Sequence, residues 1–293
     1  MQAVGFIGLG SMGLPMARNL VTRGFAVTGY DLRPQACAAL AAAGGRVADT
    51  AAGACAGADA VVLMVVNIDQ ARAVLFSGAV LDALSPGASI LLMSTCPPGA
   101  VANLADEVNA RGFALVDCPV SGGVVGAEAA SLTLMVGASD ADLARVRPLL
   151  DAMGARVVHV GPKPGQGATA KVVNQLLCGA HLALAAEALS LAERLGVDTA
   201  VMLDILSGSA ASSWMLKDRG PRMLEPDPAV TSAVDIFVKD LGLVLDAGRE
   251  ARVGLPLAAL AHQLFLSVSG RGFGAADDSQ IVRAYRWSRP DIP

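Results

Sequence analysis

Val4-Gly5-Phe6-Ile7-Gly8-Leu9-Gly10-Ser11-Met12-Gly13, an apolar run passing into a G-x-G-x-x-G turn, decides the fold of the first half of this chain. A helix follows from Met12 to Thr22, then a second β-rich run, Ala26 to Asp31, whose carboxylate stands eighteen residues beyond Gly13. In this strand–turn–helix context Gly8 permits the tight turn. Gly10 lets the backbone approach a pyrophosphate, and Gly13 lets the helix pack closely on its strand. The pyrophosphate would rest on amides of the Gly10-Ser11-Met12-Gly13 turn, at a helix N-terminus. Asp31 accepts the ribose hydroxyls of NAD and repels the 2′-phosphate of NADP. NAD is therefore the expected cofactor and NADP the less favoured one, although Arg33 offers a possible phosphate partner.

With 293 residues, 54% apolar and 16% charged, the chain is long enough for two domains and describes a packed globule rather than a disordered one. A formal charge of −4 supplies no basic surface for nucleic acid or anionic lipid. Neither nucleic acid nor membrane is an expected partner. Mean hydropathy is positive, +0.53, but much of it is alanine, and charges interrupt each apolar stretch before a span accumulates. A cytoplasmic protein is expected. Cys37, Cys55, Cys96, Cys118 and Cys178 are odd in number and lack C-x-x-C spacing, so all five are expected to be reduced, buried thiols. His159, His181 and His262 are far apart in sequence, and no metal site is expected.

Strand candidates at Ala60–Val66, Ser89–Met93, Ala114–Cys118, Leu132–Gly137 and Arg156–Val160 alternate with helical segments at 98–109 and 140–153. The latter opens with a Ser139-x-x-Asp142 capping box. This is the pattern of a doubly wound α/β (Rossmann-type) domain. It stops at the breaker cluster Gly161-Pro162-Lys163-Pro164-Gly165. We therefore read residues 1–163 as an NAD-binding domain and 164–293 as an all-α substrate and oligomerisation domain. The second begins with one helix over Gln166 to Leu195, followed by helices near 200–206, 232–251 and 256–269. Ser288 to Pro293 reads as a loose tail.

Only four of the 22 cationic residues are lysine: Lys163, Lys171, Lys217 and Lys239. A lysine among apolar neighbours in so arginine-rich a chain suggests a group that must be able to lose its proton. Lys171, Asn174, Gln175 and Cys178 share one helical face by i, i+3, i+4 and i+7 spacing. Burial would make the amine a proton donor or acceptor for a hydroxyl/carbonyl couple; the plainer alternative is a surface lysine snorkelling past its stem. Lys239, beside Asp235 and Asp240, reads equally as an exposed helix ion pair. In Asp117-Cys118-Pro119-Val120-Ser121-Gly122-Gly123, the amides of Ser121, Gly122 and Gly123 are placed to cradle a carboxylate after a strand. A tight turn needing glycine dihedrals would read the same way.

Four ordered motifs make the chain resemble the β-hydroxyacid dehydrogenase family, which includes 3-hydroxyisobutyrate dehydrogenase and tartronate semialdehyde reductase. They are F-I-G-L-G-x-M-G at Phe6 to Gly13, D-x-P-V-S-G-G at Asp117 to Gly123, G-x-G-x-x-x-K-x-x-N at Gly165 to Asn174, and K-D-L at Lys239 to Leu241. The resemblance implies Lys171 as the acid/base and Ser121-Gly122-Gly123 as the substrate-carboxylate site, with Thr95 and Lys239 against the cofactor near the reacting carbon. Typical members continue K-x-x-N-N, where this chain has Gln175. Gln175, Ser213-Trp214-Met215 and Ser232 to Leu243 look most like the L-threonate dehydrogenase branch, implying a C4 sugar acid. Asn174 and Gln175 would then orient the substrate and Trp214 wall the pocket, or Trp214 would simply be packing. The expected activity is NAD-dependent oxidation of a hydroxy acid by a homodimer or homotetramer. A semialdehyde or imine reductase and a non-catalytic NAD-binding sensor are the alternatives.

Overall fold

The computed structural model describes residues 3–286; the tail expected at Ser288 to Pro293 lies outside them. Two compact units divide between Lys171 and Val172.

The first unit is built on one nine-stranded sheet. Its strands are β1 (Ala3–Ile7), β2 (Ala26–Tyr30), β3 (Arg46–Val47), β4 (Ala60–Leu63), β5 (Ser89–Leu92), β6 (Ala114–Asp117), β7 (Val120–Ser121), β8 (Thr133–Gly137) and β9 (Arg156–Gly161). They run in the order β3-β2-β1-β4-β5-β6-β8-β7, with β9 pairing β8. The six strands from β3 to β6 are parallel, and β8 reverses direction against β6 and β7. This is the doubly wound order, reversing between β1 and β4. The strands β4 and β5, Ala-Val-Val-Leu and Ser-Ile-Leu-Leu, are buried at every position, as expected where helices cover both faces. Alternate side chains serve opposite layers. Phe6, Val62 and Leu91 join the core with Met16 and Leu20, whereas Ile7, Leu63, Ile90 and Leu92 join the core with Leu75 and Leu104.

The expected strands are all present, with ends shifted by up to three residues. The helices Gly13–Thr22, Pro98–Asn109 and Asp140–Met153 lie where periodicity placed them, and Ser139 caps the last by accepting from the Asp142 amide at 3.1 Å. The short strands β3 and β7 were not anticipated. Two residues carry no periodicity, and their pairing comes only from the neighbouring strand.

The second unit is helical: among the described residues it contains only an isolated bridge, Ala233 to Asp277, in place of strands. A spine helix, Gln166–Arg194, runs 29 residues or about 44 Å and carries across the division between the units. By length and composition this one helix could cross a membrane, contrary to the expectation that no stretch would qualify. Half of its most apolar window is buried in the protein. Helices Thr199–Gly208, Val234–Ala251 and Pro256–Val268 follow near their expected positions. They pack about a core in which Phe237 and Phe265 stack at 5.0 Å.

Helix Trp214–Met223 was not expected. Gly220 and Pro221 interrupt its pattern, yet Ser213 caps it from the Leu216 amide at 3.0 Å. Gly220 leaves room for Leu203, whose Cδ1 would lie 2.4 Å from any Cβ there. The expectation of five buried thiols is also corrected. All five are free, but only Cys55, Cys96 and Cys118 are buried. Cys37 and Cys178 are half-buried, near polar partners: the Asp31 carbonyl for Cys37 and Asn174 Oδ1 for Cys178.

Gly13 tests the close approach on which the first unit is built. A Cβ there would sit 1.9 Å from the Gly8 carbonyl oxygen, which is backbone and has little room to move. Gly13→Ala should destabilise the unit by about 1–3 kcal/mol, as overpacking does, and lower its denaturant midpoint.

Candidate active site

Apart from Lys171 on the spine helix, the sequence-predicted groups of the first unit lie at or beyond the carboxyl ends of the parallel strands. The glycine turn follows β1, Asp31 follows β2, Thr95 lies just after β5, and Ser121 to Gly123 follow β6. Ligands of open α/β sheets bind at this edge. The turn is shaped for an anion. Gly8 adopts φ +96°, a conformation that lets its amide donate to the Tyr30 carbonyl at 3.0 Å. Helix Gly13–Thr22 starts with neither a side-chain cap nor an acidic residue in its first turn. The Leu14 amide already donates to the Gly10 carbonyl at 3.0 Å and Pro15 has no amide hydrogen, so the turn ahead of them and the positive end of the dipole are what a ligand's phosphates would meet. Gly10 and Met12 are half-buried and Ser11 is exposed.

Asp31 is held in place before any ribose reaches it. Oδ2 accepts from the Leu9 amide at 2.7 Å, and Oδ1 accepts from the Arg33 amide and from Arg33 Nε, each at 2.9 Å. Partial burial opposes the ionised form, but the Arg33 guanidinium and the backbone amides outweigh it and hold the carboxyl below its usual value. Arg33, left open above as a phosphate partner, is therefore an ion-pair partner of Asp31. Its Nη2 lies 3.4 Å from where a Cβ on Gly10 would stand, so the guanidinium overhangs the turn. The uncapped helix, the bare Gly10 and the acceptor at Asp31 together fit a dinucleotide.

The Ser121-Gly122-Gly123 turn has the glycine dihedrals weighed for it. Gly122 and Gly123 take φ +133° and +61°, so glycine is required for the chain path. Ser121 through Gly123 are nevertheless half-buried rather than sealed, and helix Gly123–Glu128 begins there without a side-chain cap.

Asp117, which carried no role in the sequence reading beyond heading its motif, is wholly buried at the end of β6. Its Oδ2 accepts from the amides of Gly165 and Ala168, both at 2.8 Å. Oδ1 is buried without a partner. Burial pushes the carboxyl up to about 6, against the pull of the amides of Ala168, Gly165 and Gly167. An aspartate capping a helix some fifty residues away leaves no spacing signal, because the strand and the breaker cluster meet only in the fold.

Lys171 is 7% exposed on the first turns of the spine helix. Asn174, half-buried, and Gln175, 7% exposed, follow on the same side. The surface-lysine alternative is therefore excluded.

In the second unit Gln175 Nε2 donates to Asp240 Oδ2 at 2.6 Å. Lys239 Nζ lies 2.8 Å from Asp240 Oδ1, in an ion pair whose carboxylate is 2% exposed. Lys239 is thus not the fully exposed member of a helix pair. Asp240 was not singled out by sequence, since K-D alone reads as an ordinary surface pair. Trp214 is half exposed, which excludes core packing, and its ring lies under Arg219 at 5.8 Å. Arg219 in turn is buried between Asp218 and Asp278, while Arg222 reaches Asp277. Among the described residues no cluster of metal-ligating side chains occurs.

Comparison with known proteins places this architecture. Residues 3–161 match the NAD binding domain of 6-phosphogluconate dehydrogenase, and residues 165–285 match the NAD-binding domain of NADP-dependent 3-hydroxyisobutyrate dehydrogenase. The chain belongs to the β-hydroxyacid dehydrogenase family. This dehydrogenase is 40% identical to an L-threonate dehydrogenase of Escherichia coli O6:H1 across 96% of its own length and 94% of the relative's. It is 39% identical to the L-threonate dehydrogenase of Cupriavidus necator, over 96% and 95%. The crystal structure of a 3-hydroxyisobutyrate dehydrogenase from Salmonella typhimurium superposes with a TM-score of 0.92 at 41% identity, covering 97% of this chain and 99% of that one. It is an oxidoreductase of the NAD-dependent hydroxyacid class, acting on the CH–OH group of a small molecule.

Asp31 and Arg33 make its cofactor choice testable. Asp31→Ser removes the acceptor for the ribose hydroxyls and releases the guanidinium toward a 2′-phosphate. Initial rates with the two cofactors should show kcat/KM for NAD falling at least tenfold, an effect of about 1.4 kcal/mol, while that for NADP rises.

Proposed function

We propose that this dehydrogenase oxidises a C4 sugar acid of the L-threonate type, with Lys171 as its general acid/base. The reading is carried by a buried lysine in line with two amides on one helix. A neutral amine kept out of water can accept a hydroxyl's proton as the hydride leaves. Asn174 and Gln175 would orient the hydroxyl-bearing carbons, with Trp214 at the pocket wall, and the amides of Ser121, Gly122 and Gly123 would receive the carboxylate. Thr95 and Lys239 would lie against the cofactor, and Gly8, Gly10, Ser11, Met12, Gly13 and Asp31 would hold its pyrophosphate and ribose. Bound NAD supplies the hydride acceptor; the chain's own residues place the alcohol and manage the proton.

The L-threonate assignment is supported by the two relatives named above, which match almost end to end. The Salmonella structure's description as a 3-hydroxyisobutyrate dehydrogenase favours that acid as the second reading. The matches at 3–161 and 165–285 support a domain boundary within the breaker cluster, giving functional halves of 1–163 and 164–293. We place the enzyme in the cytoplasm, in keeping with its reduced cysteines.

The spine helix presents Val173, Leu177, Leu184 and Leu191, each 51–60% exposed, and Val201 and Ile205 stand exposed on the helix Thr199–Gly208. An apolar stripe of this length supports a homodimer or homotetramer that covers it. Light scattering should show more than one copy for the native chain, with the Leu184→Glu/Leu191→Glu double variant shifting toward monomer. A monomeric native protein would remove this part of the reading.

Lys171→Ala should lower kcat at least about 100-fold, as loss of a general acid/base does, with NAD affinity within twofold of wild type. Following NADH absorbance with L-threonate, D-erythronate, 3-hydroxyisobutyrate and D-glycerate should give the highest kcat/KM with L-threonate. Preference for 3-hydroxyisobutyrate would establish the second reading instead.

A further inference from the structure

We infer that Asp117 is a positioning residue that sets the place of Lys171 by capping the spine helix from the end of β6. The inference rests on the reading of Lys171 as the acid/base. The first amides of a helix have no intrahelical acceptor, and a local Ser, Thr, Asp or Asn normally satisfies them. The spine helix is preceded by Pro164 and Gly165, neither of which has a side chain able to do so. Asp117 takes the role from a different element, accepting the Gly165 and Ala168 amides on one oxygen at 2.8 Å each. Lys171 lies three residues beyond Ala168, one turn along and on the same side.

The contact is close enough to transmit position. At Gly167 a Cβ would stand 2.4 Å from the Met135 carbonyl oxygen of β8, 2.8 Å from the Asp117 carbonyl oxygen and 3.1 Å from Oδ2. The helix start therefore rests on the end of β6 and the middle of β8 at a separation only glycine allows. Stability alone would not select this arrangement, because the carboxylate is fully buried and its Oδ1 has no partner. A local cap would satisfy the same amides at less cost. What a local cap would not do is tie the helix to β6, the strand that leads four residues later to Ser121, Gly122 and Gly123. One strand end thereby fixes both the proposed carboxylate cradle, through the chain, and the proposed base, through the Asp117 side chain.

The test uses the full-length enzyme with NAD and the panel acid oxidised fastest. Asp117→Ala should lower kcat about tenfold to 100-fold, the cost of a small misplacement of a reacting group, while substrate KM and NAD affinity stay within about threefold. Asp117→Asn, which keeps one acceptor oxygen, should recover part of the loss. Added to Lys171→Ala, Asp117→Ala should cause little further loss, because both remove one function. If Asp117→Ala does not fold, Gly167→Ala and Asp117→Asn serve in its place, each lowering kcat at unchanged NAD affinity. Unchanged kcat in the folded variants overturns the inference, as does a parallel fall in kcat, NAD affinity and thermal midpoint. Full turnover in Lys171→Ala would instead defeat the acid/base reading, whatever Asp117 does.

Discussion

The buried Asp117 carboxylate, holding the Gly165 and Ala168 amides at the start of the spine helix, is the interaction that joins that helix to the end of β6. Hydrogen bonds to charged groups contribute about 1.5–3 kcal/mol each in proteins generally, against a large cost of removing the charge from water. The residual cost is visible in the elevated Asp117 pKa, about 6, and in its unpartnered oxygen. The benefit is geometric: it turns a break in the chain, the Gly161 to Gly165 cluster, into a fixed joint between a strand end and a helix start.

The dinucleotide half shows the same economy in a more familiar form. Gly8 and Gly13 bring helix and strand together, and the helix begins without a cap of its own, so a bound anion can complete it. Asp31 is oriented by the Leu9 amide and by the Arg33 pair rather than left to solvent. A ribose thus meets an acceptor whose direction is already set, which lowers the ordering cost of binding.

The second unit relies on buried charge as well. Arg219 joins helix Trp214–Met223 to the short segment Asp278–Val282 through Asp278, and burial drives that carboxyl up to about 6 despite the pairing. Gln175 and Lys239 meet on Asp240 in a similar way. The glutamine at 175 is long enough to reach that carboxylate. Its amide nitrogen thus serves a protein partner, and the substrate-facing role proposed for it runs through a side chain already held on one side.

Much of the fold and part of the site were legible in the chain alone. The strand–turn–helix signature, the apolar strand runs and the breaker cluster depend on local sterics and on periods of 2 and 3.6 residues, and these are written residue by residue. The glycine turn, Asp31 and the Lys171 face were accessible for that reason. The helix at Trp214–Met223 was not, because Gly220 and Pro221 break its pattern and its burial comes from Leu203 and the Asp278 pair. Nor were the roles of Asp117 and Asp240, the pairing of Arg33 or the half-exposure of Trp214. Each depends on partners distant along the chain or on neighbours that only the folded surface supplies, and desolvation and contact distance exist only once the chain has closed on itself.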